Sequence, residues 1–116
     1  MYIKLNGENF FAATGGQPFS LKKPCIVFIH GAAMDHSIWM LQTRYFAHHG
    51  YSVLALDLPA HGRSSGAPID SVLGMAEWLK EILDSLDVKQ TIMVGHSLGS
   101  LVALEFSSKY SKMINS

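Results

Sequence analysis

The motif GHSLG (95–99) has the residue types and the spacing for nucleophilic catalysis by a serine. It ends the apolar run TIMVGH (91–96) and precedes a segment with helical spacing, so the serine lies where a strand turns into a helix. Such a turn forces the serine to a strained, positive φ, and only very small residues fit two positions before and after it. Gly95 and Gly99 meet that requirement. The motif therefore predicts that Ser97 is an exposed nucleophile, whereas the alternative is a glycine-rich turn that only begins a helix.

A second group of small residues, HGAA (30–33), begins at the end of another apolar run, CIVFIH (25–30). A serine that attacks a carbonyl creates an oxyanion, which needs backbone N–H donors from the serine turn and from a neighbouring strand-to-helix loop. Gly31 lets the backbone turn here, and Ala32 has a small side chain and a free N–H. The pattern predicts an oxyanion hole formed by the N–H groups of Ala32 and Leu98, although an ordinary tight loop would account for HGAA alone.

Apolar runs and apolar spacing predict an α/β fold around these two segments. Short continuous apolar runs are typical of strands covered on both faces, and each is followed by a segment with helical spacing. This alternation implies right-handed crossovers and a parallel sheet with helices on both sides. Asn6-Gly7 favours a β-hairpin within residues 2–14. The strands are expected over 25–30, 52–57 and 91–96, and the helices over 37–49, 70–86 and 98–110.

A third segment, DLPAHGRS (57–64), follows the second of these strands. Together with HGAAMDHSIW (30–39) and GHSLGSLVALEF (95–106) it resembles the α/β-hydrolase family, in its single-domain serine-hydrolase branch. The three segments occur in the family's order, and the likeness covers nearly the whole chain. One departure is Ala60, where the family commonly has glycine. The resemblance implies hydrolysis of an ester or thioester, in which Ser97 attacks the carbonyl and water releases the acyl-enzyme.

The same resemblance implies how much of the fold is present. Residues 1–116 are expected to form one partial α/β-hydrolase domain, the half that bears the nucleophile, with the C-terminal half absent. The implied strand order is 1-2-4-3-5, which leaves strand 91–96 at an open edge and one side of helix 98–110 exposed. The family takes its catalytic acid and histidine from later loops, so neither has a counterpart here.

None of the six histidines is expected to replace the missing base. His30 is expected to brace the oxyanion loop, His61 to be structural, and His96 to be directed away from the Ser97 hydroxyl. Asp57 is expected to fix its own loop by accepting backbone N–H bonds. No spacing typical of a metal site is present, and no cofactor is expected. The remaining histidines lie at predicted helix ends: His36, His48 and His49.

Composition narrows the classes of function and partner. Apolar residues make up 48% and charged residues 16% of the 116, which excludes a disordered linker. Nine basic and nine acidic residues balance, so no basic surface for nucleic acid is expected. No apolar run is long enough to span a membrane, and the single cysteine, Cys25, excludes an internal disulfide. A small-molecule ester or thioester as substrate and a cytoplasmic location are the resulting expectations.

Two classes of function stay open. The first is a serine hydrolase; Ser97 in place of an aspartate argues against dehalogenases and epoxide hydrolases, while carbon–carbon hydrolases and cofactor-free haloperoxidases share the serine motif. The second is a truncated, catalytically incomplete chain. It would bind a complementing C-terminal chain by strand addition, or associate with itself, through the open sheet edge. A ligand-binding relative without catalysis is disfavoured because Ser97 and both glycines are intact.

Overall fold

The structure is a computed structural model that describes residues 1–115, and it contains one five-stranded sheet with helices on both faces. The strands lie in the order β1-β2-β4-β3-β5, as the resemblance implied. The strands are β1 (Tyr2–Leu5), β2 (Glu8–Ala13), β3 (Cys25–Ile29), β4 (Ser52–Leu56) and β5 (Thr91–Gly95). The helices are α1 (Met40–Ala47), α2 (Val72–Ser85) and α3 (Leu98–Lys109), with 3-10 turns at His36–Trp39 and Ser111–Met113.

The predicted hairpin forms between β1 and β2. Asn6 and Gly7 have φ values of 52° and 81°, and positive φ at both central residues is what a tight hairpin turn of this kind requires. The hairpin joins the main sheet through β2, which pairs antiparallel with β4. The N-terminal strands therefore extend the sheet on the side opposite β5.

The three inner strands end level with one another. β3 pairs in parallel with β4 on one side and with β5 on the other, and Ile29 is in register with both Leu56 and Gly95. The loops after these strands consequently meet at one edge of the sheet, with the loop after β3 between the other two. This register brings the three motif segments together.

Helices cover both faces because successive residues of a strand point to opposite sides. Val27 and Ile29 pack into a core with α2 and α3. Ile26 and Phe28 pack on the other face, against residues of α1 and the preceding turn. The predicted α/β class and the helices on both sides are confirmed.

The first helix differs from its prediction over 37–49. It begins as a 3-10 turn, and regular α-helix spans only Met40–Ala47. Asp35 accepts a hydrogen bond from the Ser37 N–H at its start, and the Trp39 ring packs against Phe28 with 5.1 Å between centroids. These contacts hold the first turn close to the sheet, in a tighter form than the apolar spacing indicated.

The second helix is capped by a serine, and the third buries only part of its surface. Ser71 accepts a hydrogen bond from the Gly74 N–H at the start of α2. In α3 only Gly99, Val102 and Phe106 are buried.

The outward face of α3 lies beside an open sheet edge. Leu101 and Leu104 are 52% and 68% exposed. β5 pairs with β3 as its only full neighbour within residues 1–115, and the other contact at its edge is one parallel bridge between Thr91 and Ile114. The expected exposure of β5 and of one side of α3 is confirmed. None of the helices within these residues combines the length and the apolar character that a membrane-spanning segment needs.

Candidate active site

Ser97 has the strained backbone that the motif predicted. Its φ is 55° and its ψ is −117°, and it lies between the last residues of β5 and the first residue of α3. The side chain is exposed. The turn is held by the His96 N–H, which donates to the Ile29 carbonyl at 3.1 Å, and by the Gly99 N–H, which donates to the His96 carbonyl at 2.9 Å. The predicted positive φ at Ser97 is confirmed.

Gly95 and Gly99 are required because a side chain would not fit at either position, and neither glycine has a positive φ. A Cβ atom at Gly99 would overlap the backbone of β3, 2.6 Å from the Ile29 carbonyl carbon and 2.7 Å from the His30 oxygen. A Cβ atom at Gly95 would lie 2.5 Å from the carbonyl carbon of Gly99. Real Cβ contacts essentially never fall under 3.0 Å, so any side chain at either position would displace backbone.

The loop after β3 lies directly against the serine turn. A Cβ atom at Gly31 would lie 3.2 Å from Cβ of Ser97. The Met34 N–H donates to the Gly31 carbonyl at 3.2 Å, and Ala33 has a φ of 60°, which closes the loop as a tight turn. The strained Ala33 was missed in the sequence, since alanine gives no sign of a left-handed backbone.

The N–H groups of Ala32 and Leu98 are candidate donors for a ligand. Neither has a hydrogen-bond partner within residues 1–115. Leu98 is the first residue of α3, where orphan N–H groups and the helix dipole favour negative charge. The geometry therefore places two candidate donors on the two segments that contact each other at Gly31 and Ser97.

His30 links the loop after β3 to the loop after β4. Its Nδ1 lies 2.7 Å from the Gly31 carbonyl oxygen, and its Nε2 accepts a hydrogen bond from the Leu58 N–H at 3.0 Å. Burial lowers the pKa of His30 below its usual range. The predicted bracing of the loop corresponds to these contacts.

Asp57 makes a second link between the same two loops. Its buried carboxylate accepts hydrogen bonds from the Arg63 N–H at 2.9 Å and from the His36 N–H at 2.6 Å. The His36 Nδ1 also lies 3.0 Å from both carboxylate oxygens. The bond to Arg63 confirms that Asp57 fixes its own loop. The bond to His36, on the neighbouring loop, was not expected from the sequence.

Asp35, His36 and Asp57 bring potential ligand atoms within 4.8 Å of one another, although the sequence showed no metal spacing. Protein groups already occupy these atoms. Asp35 caps the 3-10 turn through the N–H and hydroxyl of Ser37, and Asp57 is held as described above. The hydrogen-bond pattern gives the cluster a structural role in joining the two loops.

No histidine forms a hydrogen bond with the Ser97 hydroxyl in the part of the chain that the structure describes. The His61 Nδ1 lies 3.0 Å from the Pro59 carbonyl oxygen. His96 is exposed, and its ring has no hydrogen bond among residues 1–115. The rings of His48 and His49 lie against carbonyl oxygens near the end of α1, those of Arg44 and Tyr45.

Ala60, the departure from the family pattern, has a φ of 65°. A left-handed backbone costs a residue with a Cβ atom about 1–2 kcal/mol. Glycine would adopt it without that strain, which is a physical reason for the family's preference.

Comparison with known proteins now decides the family. Residues 24–116 match the family model for the alpha/beta hydrolase fold. The chain belongs to the α/β-hydrolase family.

Two relatives illustrate the range of this family. The (E)-2-((N-methylformamido)methylene)succinate hydrolase of Acinetobacter baylyi is 34% identical over 95 residues, which are 81% of this chain and 33% of that protein. The 2-succinyl-6-hydroxy-2,4-cyclohexadiene-1-carboxylate synthase of Salmonella typhimurium is 37% identical over 89 residues, 77% of this chain and 33% of that protein. This α/β-hydrolase chain thus spans about one third of the length of the curated relatives that it matches.

Solved structures give the same picture of the fold. A thioesterase domain from the curacin biosynthetic pathway superposes with a TM-score of 0.83 and 26% identity, over 98% of this chain and 42% of that one. An N-acyl homoserine lactone degrading enzyme superposes with a TM-score of 0.81 and 25% identity, over 98% of this chain and 42% of that one.

Proposed function

We propose that this α/β-hydrolase chain carries the nucleophile and the oxyanion hole of a serine hydrolase that acts on an ester or thioester. The observation that carries the proposal is Ser97, which combines a φ of 55° with an exposed side chain at the junction of β5 and α3. Strained backbone of this kind persists only where the surroundings impose it, and it is concentrated at functional sites. A thioesterase domain and a lactone-degrading enzyme among the structural neighbours support the bond class.

In the proposed reaction the Ser97 hydroxyl oxygen attacks the substrate carbonyl carbon. The charge that develops on the carbonyl oxygen is stabilised by the N–H groups of Ala32 and Leu98, which have no other partner within residues 1–115. A general base transfers the proton of the Ser97 hydroxyl to the leaving alcohol or thiol. A water molecule then hydrolyses the acyl-enzyme, which releases the acid and restores the Ser97 hydroxyl.

The base and the acid of the reaction are proposed to come from a further segment of polypeptide. Five of the six histidine rings hydrogen-bond to other groups, and His96 has no carboxylate partner to orient it in the part of the chain described here. A hydroxyl without a base is a weak nucleophile at neutral pH. The chain alone is therefore proposed to be catalytically incomplete.

Covalent labelling with a fluorophosphonate tests the nucleophile. The chain is mixed with the part of a full-length relative that follows the region aligned with it, and the labelled residue is located by mass spectrometry. We expect phosphonylation of Ser97 and none in Ser97→Ala. Ser100→Ala is the matched control, because Ser100 lies in the first turn of α3 and donates its hydroxyl to the Ser97 carbonyl. Labelling that persists in Ser97→Ala would exclude the proposed nucleophile.

A second candidate function, favoured by the open edge of β5, is assembly with a partner. Unpaired strand edges and exposed apolar side chains favour association. Leu104 lines two neighbouring grooves, one with Val72 and Leu101, the other with Met93 and Ala103. A complementing chain would add a strand along β5 and cover α3. Where no such chain is present, a second copy is proposed to take its place.

Self-association at about tens of micromolar is the expected result for the purified chain. The formal net charge of zero removes the repulsion that would oppose it. We expect the double substitution Leu101→Lys, Leu104→Lys to shift the distribution toward monomer in analytical ultracentrifugation. Leu41→Lys is the control, since Leu41 is 81% exposed but lies on α1. A native chain that sediments as a monomer, or equal effects of both changes, would contradict the role of β5 and α3.

A further inference from the structure

The partners of the buried His30 ring define its protonation state. Nδ1 lies 2.7 Å from the Gly31 carbonyl oxygen, which can only accept, and Nε2 lies 3.0 Å from the Leu58 N–H, which can only donate. Nδ1 must therefore carry the proton, and Nε2 must be free of one. The ring is 0% exposed, so water cannot replace either partner without a rearrangement.

The Gly31 carbonyl and the Ala32 N–H belong to the same peptide unit. Every peptide bond in residues 1–115 is trans, so the C=O and the N–H of this unit point in opposite directions. A ring that holds the carbonyl consequently turns the Ala32 N–H away from itself. The Met34 N–H also donates to this carbonyl, but it belongs to the same loop and cannot anchor the loop to another element.

We propose that neutral His30 is a positioning residue that holds the Gly31–Ala32 peptide in the orientation offering the Ala32 N–H to the oxyanion. The ring is itself oriented by Leu58, so the loop after β4 determines the geometry of the loop after β3. The inference rests on the proposed serine-hydrolase function, because the direction of this N–H matters only if an oxyanion forms beside Ser97.

Protonation of His30 removes this arrangement. A proton on Nε2 would face the Leu58 N–H, and two donors cannot share a hydrogen bond. Burial lowers the pKa of His30; the Gly31 bond and the Asp57 and Asp35 carboxylates oppose that shift, and the nearby His61 ring adds to it. The neutral ring is thus favoured at pH 7, and the positioning is lost as the pH falls below the ordinary histidine value of 6.5.

NMR spectroscopy of the isotopically labelled chain tests the proposal without any catalysis. We expect the imidazole nitrogens of His30 to show a proton on Nδ1 and none on Nε2 at pH 7. The ¹⁵N shift of Ala32 responds to the hydrogen bond on the carbonyl of its own peptide, and it should follow the titration of His30 with a midpoint below 6.5. Leu58 N–H should exchange slowly with solvent.

Two variants separate the two bonds of the ring. In His30→Asn the side-chain amide can still donate to the Gly31 carbonyl but offers no counterpart of Nε2. We expect the Ala32 shift to stay near its native value without titrating, while Leu58 N–H exchanges about tenfold faster or more. In His30→Leu both signals should change. His48→Asn is the control, because the His48 ring lies against a carbonyl at the far end of α1.

The proposal is overturned if Nε2 carries the proton at pH 7, or if Ala32 keeps its native titration in His30→Asn. If His30→Leu fails to fold, the tautomer of the native His30 ring and the Ala32 shift of His30→Asn still test the proposal. If Ser97 is not labelled but the Ala32 shift follows the titration of His30, only the proposed function is rejected. If Ser97 is labelled but the Ala32 shift does not follow that titration, only this inference is rejected.

Discussion

The isolated chain is expected to hydrolyse a short-chain nitrophenyl ester at most about 10³–10⁴-fold faster than water does. This is the rate enhancement that an oxyanion hole and substrate binding retain when the triad is incomplete. Adding the part of a relative that follows the aligned region should raise the rate by about 10²-fold or more, since a positioned general base contributes that much. The rise should disappear in Ser97→Ala. Steady-state assays of the chain alone, of the added part of the relative alone and of their mixture measure this rise.

His96→Ala is the control for a base within the chain. His96 is exposed, precedes Ser97 directly and is the histidine whose ring has no hydrogen bond in the described residues. We expect the substitution to leave the hydrolysis rates of the isolated chain and of the mixture unchanged. Strong turnover by the chain alone that is lost in Ser97→Ala would show that one of its own histidines acts as the base, and His96→Ala would reveal whether it is this one.

Gly99→Ala is expected to lower the free energy of unfolding by about 3 kcal/mol or more, the upper range for forcing extra atoms into a packed site. The added Cβ would overlap the end of β3, which cannot move without disturbing its pairing with β4 and β5. A loss of this size is a large part of the stability of a small domain. Urea unfolding followed by circular dichroism measures the change.

Gly50→Ala separates this overlap from backbone strain. Gly50 has a φ of 94°, and a Cβ atom there would meet nothing within 4 Å. The expected loss is about 1–2 kcal/mol, from the left-handed backbone alone. If the two substitutions lower the free energy of unfolding by the same amount, close packing at the serine turn is not what requires glycine at position 99. Should Gly99→Ala be too unstable to purify, Gly31→Ala provides a milder test, since its nearest contact would be 3.2 Å.

The serine turn could be predicted because its requirements are local. A strand, a serine between two glycines and a helix follow each other within about twenty residues, and the steric demand acts between Gly95 and Gly99. The fold class could be predicted for a related reason. Continuous apolar runs are needed for strands buried on both faces, and β3 and β4 are buried along their whole length.

Helix boundaries were predicted less well. The spacing of apolar residues shows which of them could share a helix face, but it does not show which face packs against another element. The 3-10 turn before α1 depends on contacts with Phe28 in β3 and with Asp57 in the loop after β4. The exposure of Leu101 and Leu104 depends on the absence of a neighbour on the outward face of α3 within residues 1–115.

The sequence by itself determined the α/β class, the order of the elements and the position of Ser97 at the end of a strand, because periodicity and glycine spacing act over short stretches of chain. Only the tertiary structure decided which loops touch. Ile29 is in register with Leu56 and Gly95, and that register brings His30 to Leu58, His36 to Asp57 and Gly31 to Ser97. Partners 21 to 66 residues apart in the sequence meet through strand pairing, and no pattern at any one of these positions indicates the other.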